Sequence, residues 1–346
     1  MHRHIILVIY ILMAIFAKGQ TMADEADRFL SAMPNNLQKK QEAAVREGIA
    51  GHPDALMAVR NSRNVRAPLP AGVSATDIGG KYRLYMPDSL GHGPVPVLIY
   101  MHGGGWCFGS VNSCSKFCCE LCRRASIAVL AVEYPLAPEH PYPAALNACV
   151  DAVNFVFDNS GVYNFDTGAV SAGGDSSGGN LALATALRLS YARAMLQNKS
   201  DDAAIPRLES LLLFYPVVKA WNDNSRSWQL YGRGYGLDGE IMEAFNEAYL
   251  TDNAAELPFI SPFCANTDIL ATLPRTMIVN AERDILADQG ADMYQKMNEA
   301  GVNVSHLIYP GAVHLFITVD GQPAAFESAV AASAAFLQPT ADVAEP

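Results

Sequence analysis

Residues 174–178 read GDSSG, which fits the pattern Gly-x-Ser-x-Gly with Ser176 at its centre. They follow the short apolar stretch AVSAG and precede the helix-forming stretch NLALATALRLSYA. A strand, a sharp turn and a helix in this order present a serine above the edge of a sheet as a nucleophile. The flanking glycines are expected because the turn leaves no room for a Cβ atom, and Ser176 is expected in a strained conformation. A glycine-rich helix cap is the alternative for this motif taken alone.

A second glycine-rich motif, HGGGW at residues 102–106, follows the predicted strand VPVLIYM. Its three consecutive glycines leave backbone N–H groups unobstructed and free to point into a site. When a serine attacks a carbonyl carbon, the tetrahedral intermediate needs such donors about 3 Å from its developing negative charge. The two motifs together predict acyl transfer with a backbone oxyanion hole. The alternative for residues 102–106 is a flexible loop.

A nucleophilic serine needs a histidine as base, and after an elbow of this kind the acid and then the histidine follow along the chain. His306 and His314 are the histidines that follow Ser176. His306 lies within NVSHLIYP, which reads as a strand, whereas His314 lies just after that strand. Sites in parallel sheets collect at the carboxyl ends of the strands. His314 is therefore the predicted base.

The carboxylate that orients the histidine is sought in NAERDILAD, which follows the predicted strand TMIVNA. The segment offers Glu282, Asp284 and Asp288. Asp284 lies close past the strand end with apolar Ile285 and Leu286 behind it, whereas Asp288 is expected to begin the next helix. Asp284 is the predicted acid.

The elements that position these residues are short apolar strands that alternate with helical stretches. Several strands are continuous apolar runs, which is typical of strands buried on both faces of a parallel sheet. The strands are predicted at residues 82–86, 95–101, 127–132, 169–172, 211–215, 277–281 and 304–309, and the helices at 143–157, 179–191, 288–300 and 323–337. The pattern predicts an α/β fold with a mostly parallel sheet covered by helices. Residues 24–59 read as one or two amphipathic helices, and the aromatic and glycine-rich residues 222–257 as an insertion over a pocket.

Composition excludes some classes of partner and site. The 346 residues carry 24 Lys and Arg against 35 Asp and Glu, so the basic patch that nucleic acid requires is missing. Four of the seven cysteines, Cys114, Cys118, Cys119 and Cys122, lie close together. Their spacing does not match a zinc site, and helical spacing predicts small core residues instead. No metal is expected, and unpaired cysteines fit a reducing compartment.

The N-terminal segment allows two interpretations. An apolar run at residues 5–17 follows Arg3 and has the length of a signal-peptide core, but it is short for a membrane span. Against secretion, no clean cleavage site follows, and Met22 opens an acidic, helix-like stretch. Residues 1–21 are thus either a signal peptide of a secreted protein or an extended start of a cytoplasmic one. A stable membrane span is not expected.

The chain resembles the hormone-sensitive-lipase-like esterases, the bacterial family IV branch of the α/β-hydrolase fold. The resemblance runs over residues 81–336 and rests on HGGGWCFGS, EYPLAPEHPYPAAL, GGDSSGGN and LPRTMIVNAERDILADQG leading to YPGAVHLF. It implies a catalytic triad of Ser176, Asp284 and His314. It also implies oxyanion donors at the backbone N–H groups of Gly104, Gly105 and Ser177.

The resemblance further implies a cap made of residues 22–75 and the insertion 222–257 over a catalytic domain at residues 76–340. The activity it implies is hydrolysis of short- to medium-chain carboxylic esters, a small-molecule substrate, without metal or organic cofactor. A homodimer is left open. Two alternatives remain: a non-catalytic small-molecule receptor on the same fold, and a membrane-anchored enzyme similar to arylacetamide deacetylase.

Two positions depart from the family pattern. Pro135 stands where the family usually has an arginine that anchors the loop around His140, which is interpreted as a structural residue. Leu315 stands where the family usually has glycine after the histidine, and it adds bulk near the pocket. The first departure puts loop rigidity in doubt, and the second puts substrate range in doubt.

Overall fold

An eight-stranded sheet forms the centre of the protein in the order β1-β2-β4-β3-β5-β6-β7-β8. The computed structural model describes residues 2–89, 91, 93–196, 205–250 and 254–338, with side chains from Ala17 onward. The strands are β1 (Val73–Ile78), β2 (Tyr82–Pro87), β3 (Val95–Met101), β4 (Ala128–Val132), β5 (Phe165–Asp175), β6 (Ser210–Phe214), β7 (Arg275–Arg283) and β8 (Val304–Val313). The pairings from β4 to β8 are all parallel, and those of β1 with β2 and of β2 with β4 are antiparallel. The predicted α/β-hydrolase fold with a mostly parallel sheet is confirmed.

Continuous apolar sequence accounts for the central strands, since every residue of β4 and of β6 is buried. The sequence analysis missed β1, in which Val73 is the only buried residue. An edge strand with one face in water lacks the apolar run on which the other strands were recognised. The predicted domain boundary between residues 75 and 76 falls inside β1, and the proposed domain division stays a prediction.

Helices cover both faces of the sheet. They are α1 (His2–Ala32), α2 (Leu37–Ile49), α3 (Asp54–Arg63), α4 (Ser115–Ala125), α5 (Ala144–Asp158), α6 (Ser160–Tyr163), α7 (Ser177–Leu196), α8 (Arg226–Tyr231), α9 (Gly239–Tyr249), α10 (Thr267–Leu270), α11 (Ala287–Glu299) and α12 (Pro323–Leu337). The four helices predicted after residue 140 correspond to α5, α7, α11 and α12. The N-terminal segment forms three helices rather than one or two, because the chain breaks at Pro34 and again at Pro53.

Helix α1 lies against the last strand and the last helix. The Asp27 carboxylate pairs with Arg283 at 2.7 Å, and Glu25 accepts a hydrogen bond of 2.8 Å from the backbone N–H of Ala324. The apolar run at residues 5–17 lies almost wholly outside the residues whose side chains are described. The choice between a signal peptide and an extended start therefore stays open. In the part of the chain that is described, no helix combines the length and apolarity needed to cross a membrane.

The N-terminal helices also contact the insertion at residues 222–257, which contains α8 and α9. Arg46 of α2 pairs with Glu247 of α9 at 2.6 Å. Gln38 of the same helix donates a hydrogen bond of 2.9 Å to the carbonyl oxygen of Gly236. These contacts bring together the two segments that the sequence analysis joined into a cap.

The cysteine cluster lies in α4 and in the turn before it, packed into the core on one face of the sheet. Cys114, Cys118, Cys119 and Cys122 are all buried free thiols, as the helical spacing predicted. Burial raises the pKa of Cys119 to about 11 and that of Cys122 to about 12. Cys119 and Cys122 therefore stay protonated at neutral pH. All four cysteines pack as small apolar side chains.

Candidate active site

Ser176 stands on a sharp turn between the end of β5 and the start of α7, as predicted. Its φ angle is 56°, in the left-handed region that strains a residue with a side chain. A Cβ atom at Gly174 would lie 2.4 Å from the carbonyl oxygen of Met101, and one at Gly178 would lie 2.0 Å from it. Both glycines are therefore required by the close approach of β3 to the turn.

His314 links Ser176 to Asp284. Its Nε2 lies 3.2 Å from Ser176 Oγ, and its Nδ1 lies 2.6 Å from Asp284 Oδ2. An ionised carboxylate can only accept hydrogen bonds, so Nδ1 carries the proton and the Nε2 lone pair faces the serine hydroxyl. All three side chains are buried. The arrangement can move a proton from Ser176 to His314 while the carboxylate stabilises the imidazolium.

Strand ends bring these three residues together. Ser176 follows β5, Asp284 follows β7 and His314 follows β8, and all three strands are parallel. Asp284 is fixed further by the backbone N–H of Leu286, which donates to its Oδ1 at 2.9 Å. The carboxyl edge of the sheet thus collects side chains that are far apart in sequence.

The rejected candidates lie elsewhere. His306 is inside β8, where its Nε2 lies 3.0 Å from Asn280 Oδ1 and its ring stacks on Tyr294. Glu282 accepts from the backbone N–H of Gly311 at 2.7 Å. Asp288, in the first turn of α11, accepts from the backbone N–H of Ser227 at 2.8 Å. None of the three contacts Ser176 or His314.

Gln322 holds the backbone of the histidine loop and was missed by the sequence analysis. Its side-chain amide donates to the carbonyl oxygens of Val313 at 3.2 Å and His314 at 3.1 Å. Its carbonyl oxygen accepts from the backbone N–H of Val313 at 2.9 Å. In the sequence, Gln322 is marked only by its position directly before Pro323, which opens α12. That position does not indicate its contact with the histidine loop.

The glycine loop at residues 102–106 runs beside the serine. Gly104 and Gly105 have φ angles of 124° and 59°, which strain any residue with a Cβ atom. A Cβ atom at Gly105 would also lie 2.2 Å from the Phe245 ring. Within the described residues, the N–H groups of Gly104 and Gly105 make no hydrogen bond. The N–H of Ser177, the first residue of α7, has no partner inside its helix.

Asp175 is a second buried carboxylate of the site, with 1% of its surface exposed, and the sequence analysis gave it no role. Its Oδ1 accepts hydrogen bonds from Tyr100 Oη at 2.9 Å and from the backbone N–H of Gly103 at 3.1 Å. Burial raises the pKa of Asp175 to about 6, although both hydrogen bonds oppose the shift. In the sequence, Asp175 is only the variable position before the serine of the Gly-x-Ser-x-Gly motif, which does not indicate a buried carboxylate.

A cavity of about 680 Å³ opens beside Ser176 and His314. Its walls are mainly apolar side chains from α1, α2 and α9, and they include Phe29, Met33, Leu37, Ile241 and Phe245. The size and lining are those of a site for a small, largely apolar ligand.

The two departures from the family pattern have structural counterparts. Leu315 lines the cavity with a φ angle of 72°, a backbone conformation that favours glycine. The loop that lacks an arginine at position 135 is held instead by Arg60 of α3. Arg60 binds both oxygens of Glu139 at 2.8 Å and the carbonyl oxygens of Ala137 and Cys107 at 2.7 and 2.8 Å. The doubt about loop rigidity is therefore answered by a different arginine.

Comparison with known proteins agrees with this arrangement. Residues 98–318 match the model of a family with the alpha/beta hydrolase fold. The chain is 34% identical to an ethyl acetate hydrolase of Pseudomonas putida over 64% of this chain and 66% of that protein. It is 30% identical to the carboxylesterase NlhH of Mycobacterium tuberculosis over 68% of this chain and 70% of that protein. The chain spans 55% to 66% of the length of four of the curated relatives that it matches.

A crystal structure of a thermostable esterase from Pseudomonas putida superposes on this structure with a TM-score of 0.75. The two chains are 26% identical, and the match covers 91% of this chain and 96% of the other. The protein belongs to the α/β-hydrolase fold family, within the hormone-sensitive-lipase-like branch that its motifs indicated.

Proposed function

We propose that the protein is a serine carboxylesterase that hydrolyses short- to medium-chain carboxylic esters through an acyl-enzyme intermediate. The observation that carries the proposal is the pair of contacts made by His314, at 3.2 Å to Ser176 Oγ and 2.6 Å to Asp284 Oδ2. The esterase names of the relatives and of the similar crystal structure support the same class of reaction.

In the proposed reaction, Ser176 Oγ attacks the ester carbonyl carbon while His314 Nε2 takes the hydroxyl proton. The tetrahedral intermediate collapses, the bond to the alcohol oxygen breaks, and His314 returns the proton to the leaving alcohol. Water then attacks the acyl-enzyme with His314 again as base, which releases the acid and restores Ser176. The chemistry uses only this chain's side chains and water.

We assign the oxyanion donors to the backbone N–H groups of Gly104, Gly105 and Ser177. Two observations support this assignment: the glycine N–H groups have no partner within the described residues, and Ser177 begins the long helix α7. The N-terminal end of a helix adds a partial positive charge that stabilises an anion. Each such donor is worth on the order of 3 kcal/mol in the transition state.

The acyl chain is proposed to be short to medium in length, about two to eight carbons, as the resemblance to the hormone-sensitive-lipase-like esterases implies. A relative named as an ethyl acetate hydrolase supports a short chain, and Leu315 adds bulk to the cavity wall. The alcohol and acyl portions must share about 680 Å³ between the N-terminal helices and α9.

Hydrolysis of 4-nitrophenyl acetate, butyrate, octanoate and palmitate by the wild type and by Ser176→Ala tests this function. We expect the highest kcat/KM with butyrate or octanoate, and a loss of at least about 1,000-fold in the variant. The matched control is Ser333→Ala, which removes a buried hydroxyl of α12 that donates to the carbonyl oxygen of Ala329 in the same helix and does not line the cavity. Equal rates for the wild type and Ser176→Ala would refute the proposed role of Ser176, and a preference for palmitate would refute the chain-length limit.

A further inference from the structure

Arg63 is a cation in the wall of the cavity that contains Ser176 and His314. It is the last residue of α3 and is partly buried. Nothing in the proposed reaction uses it. Its position raises the question of what its charge contacts when a substrate is bound.

The two neighbouring arginines have acidic partners, and Arg63 has none within the described residues. Arg60 makes a bidentate pair with Glu139, and Arg66 pairs with Asp77 at 3.4 Å. The Arg63 guanidinium lies instead over the Phe108 ring, 5.2 Å from its centroid. Burial lowers the pKa of Arg63, but a guanidinium stays charged in proteins. Arg63 is thus a partly buried cation without an acidic partner among the described residues.

Phe108 connects this cation to the reacting atoms. A Cβ atom at Gly104 would lie 3.1 Å from Phe108 Cβ, and one at Gly105 would lie 2.2 Å from the Phe245 ring. The Phe108 ring also packs edge-on against Phe245, 5.3 Å between centroids. Arg63 is thus connected to Gly105 through the adjoining rings of Phe108 and Phe245. Arg63 and Ser176 line the same cavity.

Among the described residues, Arg63 is the cation of the cavity wall that has no acidic partner. Lys116 pairs with Asp320 at the cavity wall. Asp175 is the other carboxylate of the wall, and it accepts its two hydrogen bonds from the neutral donors Tyr100 and Gly103 rather than from a cation. Gln41 of α2 also lines the cavity and adds an amide to its polar groups.

We infer that Arg63 binds a carboxylate of the substrate, so that the preferred esters carry a carboxylate group within a few bonds of the ester that is cleaved. The inference rests on the proposed esterase function and specifies its substrate class. A guanidinium binds a carboxylate through two parallel charge-assisted hydrogen bonds, which a neutral ester cannot offer. Bound carboxylate would supply the counterion that Arg63 lacks, and Arg63 would determine specificity without taking part in proton transfer.

The carboxylate can belong to the acyl or to the alcohol portion of the ester, and two substrate pairs separate these cases. Monoethyl glutarate against ethyl pentanoate tests the acyl side, and 4-acetoxybenzoate against 4-acetoxytoluene tests the alcohol side. Within one of these pairs, we expect the wild type to have a kcat/KM about 10- to 100-fold higher for the anionic ester. Equal rates within both pairs would overturn the inference.

Arg63→Met, Arg63→Lys and the matched control Arg66→Met locate the effect. Arg66 is exposed and does not line the cavity, so its replacement should leave the anionic-to-neutral ratio of kcat/KM unchanged. Arg63→Met should lower that ratio by about 10-fold or more, and Arg63→Lys should restore part of it. If Arg63→Met lowers both rates in proportion, so that the ratio is constant, Arg63 is a structural residue and the inference is wrong.

Binding of monoethyl glutarate and 4-acetoxybenzoate to Ser176→Ala, measured by titration calorimetry, separates the carboxylate site from the chemistry. We expect binding of at least one of them that weakens about 10-fold when Arg63→Met is added. If Ser176→Ala shows this binding but the wild type cleaves no ester, the carboxylate site is supported and the proposed esterase function fails. Ester cleavage without Arg63-dependent binding would overturn the carboxylate site and leave the esterase proposal standing.

Discussion

The Asp175 carboxylate accepts a hydrogen bond of 3.1 Å from the backbone N–H of Gly103. This contact joins the residue before the proposed nucleophile to the loop that carries the proposed oxyanion donors. Because Tyr100 donates to the same oxygen at 2.9 Å, the carboxylate is held from two sides. The Asp175 side chain, which takes no part in the proposed reaction, thus holds the turn that carries Ser176 close to the loop that carries the proposed donors.

Asp175→Asn keeps an oxygen acceptor at this position, whereas Asp175→Ala leaves two buried donors without a partner. We expect the alanine variant to lose about 1–3 kcal/mol of stability for each unpaired donor and about 10- to 100-fold in kcat, as the loop loses its anchor. The asparagine variant should stay close to the wild type. Steady-state kinetics with 4-nitrophenyl butyrate and urea unfolding measure both effects. An alanine variant with wild-type kcat would contradict the anchoring role.

His102 should make the fold sensitive to acid. Burial lowers the pKa of His102 from the ordinary 6.5 to about 4, because the charged ring would lose its hydration. A lowered histidine pKa contributes stability that is present above 6.5 and is lost as the pH falls towards 4. By linkage, the wild type should lose about 3 kcal/mol from this group between pH 7 and pH 4.

The variant His102→Asn tests this prediction through the pH dependence of its free energy of unfolding. In the wild type, His102 Nδ1 lies 2.9 Å from the carbonyl oxygen of Gly103, and the asparagine amide can donate to the same oxygen. Asp175 works in the opposite direction, since its pKa is raised to about 6 and its contribution is lost as the pH rises. The variant keeps Asp175, so the difference between the two proteins isolates His102. Urea unfolding curves that shift equally with pH in both proteins would contradict the prediction.

Leu315 should limit the size of the acyl group. Replacing it by glycine removes side-chain bulk from the cavity and relieves a φ angle of 72°, but it also removes packing against Phe29 and Val313. Relief of the backbone strain should stabilise the variant by about 1–2 kcal/mol, and the lost packing should destabilise it by a similar amount. The free energy of unfolding should therefore change little. We expect the preferred 4-nitrophenyl ester to shift to a longer acyl chain. An unchanged profile across the ester series would show that Leu315 does not bound the acyl site.

Arg60 should be a structural anchor, in contrast to Arg63. Its guanidinium makes four hydrogen bonds to the loop at residues 135–140 and the glycine loop, and the side chain is largely buried. We expect Arg60→Met to lower the free energy of unfolding by about 2–4 kcal/mol, because it leaves two carbonyl oxygens and Glu139 unpaired. Exposed Arg66→Met should change it by less than about 0.5 kcal/mol. Equal urea midpoints for the two variants would contradict the assignment.

Local motifs made much of the site predictable. The turn at Ser176 could be foreseen because the Gly-x-Ser-x-Gly pattern, the strand before it and the helix after it all lie within a few residues of one another in the chain. His314 and Asp284 could be placed because each directly follows an apolar strand, and the ends of parallel strands meet at one edge. The strands with a run of apolar or β-branched residues were recognised, including the partly exposed edge strand β8, whereas the edge strand β1, with Val73 as its one buried residue, was not.

Contacts between distant residues could not be foreseen. Asp175 and Gly103 are 72 residues apart, and Arg60 and Glu139 are 79 apart, so nothing in either local pattern indicates the partner. The lack of a partner at Arg63 is equally invisible, since it depends on where every other charge lies in the fold.

Labelling with a fluorophosphonate tests the central claim most directly, because this reagent phosphonylates only a serine that a neighbouring histidine activates. Intact-protein mass spectrometry, followed by peptide mapping, should give one adduct per chain, located at Ser176. His314→Ala should slow its formation at least about 1,000-fold, and Ser176→Ala should abolish it. No adduct in the folded wild type, or an adduct that forms equally fast in His314→Ala, would contradict the account and favour a receptor that does not react with its ligand.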